Sequence, residues 1–175
     1  MTLWGLLQIS LQDRLPRPNG ECLDGHPFVD KDGQSYLIYS HEWQQCENGE
    51  IIIQRMPDDW SRLEGEAKLL FRAADVPWTE RINAYSKSGF VTDGPCMLLH
   101  DGVYYLMWSS IGKDGYCVGC ATANSVEGPY RHYPQPLLNM DGGHNCCFRG
   151  LNGEMYTSFH MPNSSPYERL MIKKL

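Results

Sequence analysis

Three polar side chains in this sequence each stand a few residues before a pair of strand-like segments. Asp24, Asp93 and His144 precede the segments 28–40, 97–109 and 147–160, respectively. Carboxyl and imidazole groups can hold and transfer protons, and a pair of carboxyl groups is the usual means of cleaving a glycosidic bond. If the three segments pack side by side, these side chains meet in one cleft, so the pattern predicts a site suited to a sugar.

The elements that would position these side chains are three β-hairpins with glycine turns. Gly33, Gly102 and Gly153 each follow Asp or Asn and lie between runs rich in β-branched and aromatic residues, which is the signature of a hairpin. The spacing of the turns leaves room for a four-stranded sheet around each hairpin. Repeats on this scale predict an all-β fold, a partial β-propeller of about three blades, rather than one continuous sheet.

The remaining segments divide into further strands and connecting loops. Strands are expected at 50–56, 66–72, 116–123 and 130–133, although 66–72 is also compatible with a short helix. The segment 75–89 has no clear period and predicts an irregular loop. In the poorly assigned stretch 1–20, residues 3–11 can form a strand and 16–20 a loop. We therefore expect a single partial propeller domain over 1–175, with the blades in 21–175.

The composition fits one soluble globular domain and argues against two classes of partner. The chain has 175 residues, 42% hydrophobic and 21% charged, with a net charge of -6. Nucleic acids and anionic membranes bind concentrated basic surfaces, so neither is an expected partner. The apolar start at 1–9 lacks the features of a signal peptide. As written, the sequence predicts a cytoplasmic protein, and a secreted or periplasmic location stays open for a longer parent.

The seven cysteines predict buried thiols rather than a metal site. Most lie in or beside apolar strand-like runs, where a small thiol packs as a hydrophobic residue. Cys117 and Cys120 have Cys-x-x-Cys spacing, but no second pair or nearby histidine accompanies them at zinc-site spacing. We predict no zinc site.

Aromatic residues near the three polar positions can supply stacking surfaces for a sugar ring. Trp43 and Trp78 fall in predicted loops and are the candidates for the cleft, whereas Trp108, Tyr39 and Trp60 are expected in the core. A structural alternative exists for the polar residues as well, because aspartate before glycine often accepts backbone hydrogen bonds in a turn. The same alternative applies to His144 before Asn145.

Several of these segments, in this order, resemble glycoside hydrolase family 43. Leu23-Asp-Gly followed by 28–37 looks like that family's second-blade signature, and Thr92-Asp-Gly-Pro followed by 101–106 looks like its third. The segment 116–123 with Glu127-Gly-Pro-Tyr is similar to the strand and turn that come next, and Gly142-Gly-His-Asn resembles the fourth-blade turn. The resemblance implies a five-bladed propeller that cleaves arabinose- or xylose-containing glycans with inversion.

The resemblance also implies a role for each polar residue. Asp24 corresponds to the carboxylate that orients the acid and tunes its pKa, and Asp93 to the general acid. His144 corresponds to a histidine near the propeller axis that binds substrate and helps hold a structural cation or water. The expected partner is an oligo- or polysaccharide. No cofactor is required, and the one metal considered is a structural calcium ion near His144.

Two departures from the family pattern shape the functional hypothesis. The family usually has glutamate where this chain has Asp93, which makes Glu42 a rival for the acid. No segment matches the first blade with its general base, since Asp13 is the only carboxylate before Glu21. The sequence thus resembles an N-terminally truncated propeller with impaired acid–base catalysis. A noncatalytic carbohydrate-binding fragment and a structural all-β domain are the alternatives, and open blades predict self-association.

Overall fold

The computed structural model describes residues 22–175. The strand predicted at 3–11, the loop at 16–20 and Asp13 lie outside the described residues. Within them nearly all regular structure is antiparallel β, arranged in separate sheets. No helix among these residues has the length and apolar character needed to cross a membrane.

Blade A comprises residues 22–72 and contains four strands in sequential order. They are β1 (Cys22–Val29), β2 (Ser35–His41), β3 (Glu50–Met56) and β4 (Glu64–Arg72), with helix α1 (Trp43–Cys46) between β2 and β3. The predicted strand at 66–72 is confirmed as the outer strand of this meander. The helix was not predicted, because one turn is too short to show a helical period.

The connection to the next blade contains a small hairpin where an irregular loop was predicted. After a 3₁₀ turn (Ala73–Asp75), β5 (Ile82–Ala84) pairs with β6 (Lys87–Gly89). Tyr85 and Ser86 form the turn with φ values of 50° and 62°. Turns of this kind usually contain glycine or asparagine. Tyr85 and Ser86 are neither, so the sequence carries no turn signal there and the prediction for 75–89 was wrong.

Blade B comprises residues 93–132 and repeats the four-stranded meander. Its strands are β7 (Asp93–His100), β8 (Val103–Gly112), β9 (Gly115–Ala123) and β10 (Arg131–His132). Blade C, residues 143–174, has three strands, β11 (Gly143–Arg149), β12 (Met155–Met161) and β13 (Arg169–Lys174). In all three blades the first strand is followed by a hairpin whose turn contains a predicted glycine.

The main core lies between blades A and B. Ile38, Ile53 and Leu106 are fully buried there, and Trp108 packs among them. Tyr39 is also buried, as predicted, but Trp60 lies only partly buried in the turn after β3, so its assignment to the core was wrong. The first strands β1 and β11 both pack beside β7. Three blades whose first strands lie side by side form a partial β-propeller, which confirms the predicted fold class.

Candidate active site

The first strand of every blade begins with a β-bulge. In β1, β7 and β11 the pairing register skips two residues near the start of the strand. The first skipped residue is Asp24, Gly94 or His144, with φ values of 58°, 48° and 56°. Left-handed backbone is uncommon for residues with a side chain and often occurs at functional sites. The repeated bulge therefore gives Asp24 and His144 equivalent positions on blades A and C, on either side of blade B.

Asp93 does not occupy the position that the sequence pattern assigned to it. Gly94, rather than Asp93, is the structural equivalent of Asp24 and His144. Asp93 lies one residue earlier, where it pairs with Ser109 on β8. The sequence prediction was wrong by one residue because Asp24 and Asp93 both precede a glycine, and a bulge register has no local signature.

Asp24, in blade A, contacts blades B and C through the two oxygens of its carboxyl group. Its Oδ2 accepts a hydrogen bond of 3.0 Å from the backbone N–H of Gly94 in blade B. Its Oδ1 lies 3.5 Å from Nε2 of His144 in blade C. The backbone N–H of His144 in turn donates to Oγ of Ser109 at 2.8 Å. Asp24 and His144 thus lie together, and Asp93 is beside them as the residue that precedes Gly94 and pairs with Ser109.

Asp93 is held by a tyrosine that the sequence analysis missed. The Tyr116 hydroxyl on β9 donates a hydrogen bond of 3.0 Å to Oδ2 of Asp93. The Tyr116 ring is buried, stacks on His160 with ring centroids 5.6 Å apart, and lies so close to Gly143 that a Cβ there would be 2.4 Å away. In the sequence, Tyr116 looks like any other aromatic strand residue. Its polar role arises only when the sheet of blade B brings β9 across β8 towards β7.

The environment of Asp93 favours the protonated carboxylic acid. Burial raises its pKa to about 6, and the nearby charges of Asp24 and Glu42 add to the increase. The hydrogen bond from Tyr116 and the proximity of His144 oppose it. A carboxylic acid that keeps its proton near neutral pH is the group that a general acid requires.

Glu42, the rival acid, lies at the start of α1 and is nearly buried. Its side chain accepts a hydrogen bond of 3.4 Å from the backbone N–H of Gln44, so it caps the helix. The negative charge of Glu42 is also close enough to Asp93 to raise the pKa of Asp93. The site therefore contains three interacting carboxyl groups, and the charges of Asp24 and Glu42 both act to raise the pKa of Asp93.

Three side chains next to Glu42 are close enough to share a metal ion. They are His41, Cys46 and Glu50. Arg72 donates two hydrogen bonds to one Glu50 oxygen, and His41 Nδ1 lies 2.9 Å from the other. Burial opposes ionisation of Glu50, but these hydrogen bonds outweigh it and lower its pKa. Burial raises the pKa of Cys46 to about 11, which disfavours the thiolate that a metal needs. We interpret the cluster as a support for α1.

The resemblance implies a calcium ion near His144, and this stays a prediction. Calcium takes about six to eight oxygen ligands, whereas His144 offers a nitrogen and has Asp24 as its carboxylate neighbour. Within residues 22–175, His144 does not belong to a group of three metal-binding side chains. A calcium ion here would therefore need further oxygen ligands, such as backbone carbonyl groups or water, besides the Asp24 carboxyl group.

The two tryptophans proposed as sugar platforms are engaged in packing. Trp43 is 5% exposed and lies in α1 rather than in the predicted loop, with its ring so close to Gly89 that a Cβ there would be 2.7 Å away. Trp78 is partly buried against Trp108, with ring centroids 5.1 Å apart. Sugar stacking at either ring stays a prediction that these contacts do not support.

A partial propeller that brings together an aspartic acid with a raised pKa and a second, hydrogen-bonded carboxyl group has the type of fold and the pair of carboxyl groups that glycosidases use. Comparison with known proteins identifies the particular group. The chain belongs to the glycosyl hydrolases family 43, whose sequence profile matches residues 8–173.

Individual relatives agree with this assignment. An endo-arabinase structure from Bacteroides thetaiotaomicron superposes with a TM-score of 0.88 at 36% identity, covering 94% of this chain and 60% of that chain. A beta-xylosidase from Xylanibacter ruminicola is 28% identical over 73% of this chain and 41% of its own length. A beta-D-galactofuranosidase from Aspergillus niger is 26% identical over 80% of this chain and 37% of its own length. The chain thus spans well under half the length of these two sequence relatives.

Proposed function

We propose that this chain carries the acid half of a glycoside hydrolase site that acts on arabinose- or xylose-containing glycans. In this proposal Asp93 protonates the leaving-group oxygen, and Asp24 keeps a negative charge beside it and orients it. The observation that carries the proposal is the placement of the Asp93 carboxyl group, whose pKa burial raises to about 6, next to the Asp24 carboxyl group that accepts a hydrogen bond from Gly94. Family membership and the arabinase and xylosidase relatives support the substrate class.

The proposed mechanism is inverting, and the described residues supply only part of it. Inversion needs a second carboxylate about 6.5–9.5 Å from the acid to activate water. Asp24 is committed to Gly94 and His144, and Glu42 caps α1. Neither is placed as a free base for water. We therefore propose weak turnover by this chain unless the base comes from outside residues 22–175.

A second candidate function is carbohydrate binding without catalysis. It is favoured by the short Asp93 side chain at the acid position, because an error of about 1 Å in the placement of a catalytic group can cost on the order of 10²-fold in rate. Sugar binding that saturates without any hydrolysis would identify this function.

The test of the proposed function is hydrolysis of nitrophenyl arabinofuranoside and xyloside by the purified chain. We expect measurable turnover. On an unactivated arabino- or xylo-oligosaccharide, whose leaving group needs a proton from the acid, Asp24→Asn should lower the rate by about 10²-fold or more, since the variant loses a negative charge that helps to raise the pKa of Asp93. Asp101→Asn is the matched control, because Asp101 lies exposed in a hairpin turn, also with a left-handed backbone. Equal activity in the parent and Asp24→Asn would refute the role of Asp24. No activity with retained binding of arabino- or xylo-oligosaccharides in calorimetry would favour the second function.

Self-association is a further part of the proposal. Blade C ends in strand β13, which is at the edge of its sheet among the described residues and exposes Leu170 and Ile172. Unpaired edges with apolar side chains favour association between copies. We expect light scattering to give a mass above that of the monomer, which a Leu170→Lys variant reduces. A monodisperse monomer over a wide range of concentration would contradict this expectation.

A further inference from the structure

Three cysteine side chains meet where blade B packs against blade C. Cys96 lies on β7, and Cys146 and Cys147 lie on β11. The backbone N–H of Cys147 donates to Sγ of Cys96 at 3.1 Å. The Cys96 thiol is also in hydrogen-bond contact with the thiols of both Cys146 and Cys147. Cysteines that are 50 or more positions apart in the chain are thus brought together by the packing of two blades.

The three thiols differ in their access to solvent. Cys96 is 1% exposed, Cys147 is partly buried, and Cys146 is exposed. The Cys147 sulfur is surrounded by the side chains of Met107 and Asn145, with contacts of 3.7 Å to each. A reagent from solvent therefore reaches Cys146 first, with a buried thiol directly behind it.

We propose that Cys146 and Cys96 form a site of thiol–disulfide exchange whose substrate is a small disulfide such as glutathione disulfide. The Cys146 thiolate attacks one sulfur of glutathione disulfide, breaks its S–S bond and releases one glutathione, which takes up a proton. Cys96 then loses its proton and attacks the Cys146 sulfur, which expels the second glutathione. The two protein thiols are oxidised by two electrons, and one glutathione disulfide is reduced to two glutathiones.

The pairing of Cys146 with Cys96 follows from access and contact together. Cys147 also contacts Cys96, but its sulfur is enclosed by Met107 and Asn145. Cys146 combines an exposed sulfur with the same buried partner. Adjacent strand residues usually face opposite ways, but Cys96 Sγ accepts from the backbone N–H of Cys147 and therefore lies at the edge of β11, beside both residues.

The new bond would link the two strands that hold the polar cluster. Strand β7 begins at Asp93, and Cys146 follows His144 by two residues on β11. A disulfide between Cys96 and Cys146 closes a loop of the chain and limits the separation of blades B and C. Oxidation at this site thus fixes the spacing of Asp93 and His144.

The test uses the complete chain and does not depend on hydrolysis, so it is independent of the proposed function. The reduced protein is incubated at low concentration with glutathione disulfide, alkylated, digested and analysed by mass spectrometry. We expect two peptides joined through Cys96 and Cys146, with a mass two hydrogen atoms below the sum of the two thiol peptides. Dithiothreitol should separate them again. Cys146→Ser should abolish the link, and Cys46→Ser, in blade A, should retain it. Circular dichroism of Cys146→Ser checks that this exposed substitution leaves the fold intact.

Three results would overturn the proposal. One is a glutathione adduct that persists on Cys146, because Cys96 then fails to displace it. The second is a bond from Cys96 to Cys147, or between two chains, in place of the predicted link. The third is full recovery of alkylated Cys96 and Cys146 after an incubation in which a small model dithiol is completely oxidised.

Discussion

Asp93→Asn is expected to lower kcat/KM for an unactivated arabino- or xylo-oligosaccharide by about 10²–10⁴-fold, the usual contribution of a general acid. The loss should be much smaller for a nitrophenyl glycoside, since nitrophenolate leaves without needing a proton. This difference between substrates is the signature of a lost acid rather than of a distorted site. Comparing kcat/KM for the two substrates in the parent and in the variant measures it directly.

The pH dependence of the parent provides a second measurement of the same group. Because the pKa of Asp93 is raised to about 6, hydrolysis should fall as the pH rises through this value and the acid loses its proton. Tyr116→Phe removes a hydrogen bond that stabilises the carboxylate, so the pKa of Asp93 should rise further. The alkaline limb of the profile should then move to higher pH. Tyr167→Phe, at an exposed position, is the control.

The free energy of unfolding should also depend on the ionisation of Asp93. The folded protein binds the Asp93 proton more tightly than the unfolded chain does, so this stabilising contribution is complete below the unfolded pKa and is lost as pH rises through about 6. Asp93→Asn removes the largely buried charge and should be the more stable protein at pH 8, by about 3 kcal/mol. Urea unfolding of the two proteins at pH 4 and pH 8 tests this.

Glu42→Gln decides between the two candidate acids. If Asp93 is the acid, Glu42→Gln lowers the pKa of Asp93 by removing a nearby negative charge, and the alkaline limb moves to lower pH while the leaving-group pattern stays unchanged. A large loss confined to the unactivated substrate in Glu42→Gln, with Asp93→Asn unaffected, would assign the acid to Glu42 instead.

Trp108→Ala should lower the free energy of unfolding by about 3–5 kcal/mol, the cost of truncating a large buried aromatic side chain. Trp108 is 0% exposed and lies between the blades, with ring centroids 5.2 Å from Phe71 and 5.1 Å from Trp78. Its removal leaves a cavity where blades A and B meet. Urea denaturation monitored by circular dichroism measures the effect.

Two further variants show whether this loss comes from packing. Trp108→Phe keeps most of the ring and removes an indole N–H that has no hydrogen-bond partner among residues 22–175, so it should cost clearly less than alanine. Leu151→Ala, at a fully exposed position, should change the free energy of unfolding by less than about 0.5 kcal/mol. A Trp108→Ala loss as small as that of Leu151→Ala would show that the blades do not depend on this contact.

Local chemistry in the sequence was sufficient to predict the first hairpin of each blade and most of the other blade strands. Gly33, Gly102 and Gly153 all adopt the left-handed φ expected of hairpin glycines, at 86°, 77° and 81°. Such turns depend on a few adjacent residues, and strand alternation depends on nearest neighbours along the chain. For this reason the blade pattern, and the presence of Asp24, Asp93 and His144 at the start of three blades, could be predicted from the sequence.

Only the tertiary structure determined how those residues meet. The one-residue offset of Asp93 depends on a bulge register, and its hydrogen bond to Tyr116 joins two strands of blade B that are not neighbours in the sheet. The contact of Cys96 with Cys146 joins blades B and C. A bulge shifts every side chain after it without leaving a local signature. Contacts between blades depend on how whole sheets pack, which adjacent residues do not encode. The pKa of Asp93, and with it the chemistry of the site, is therefore a property of the assembled fold.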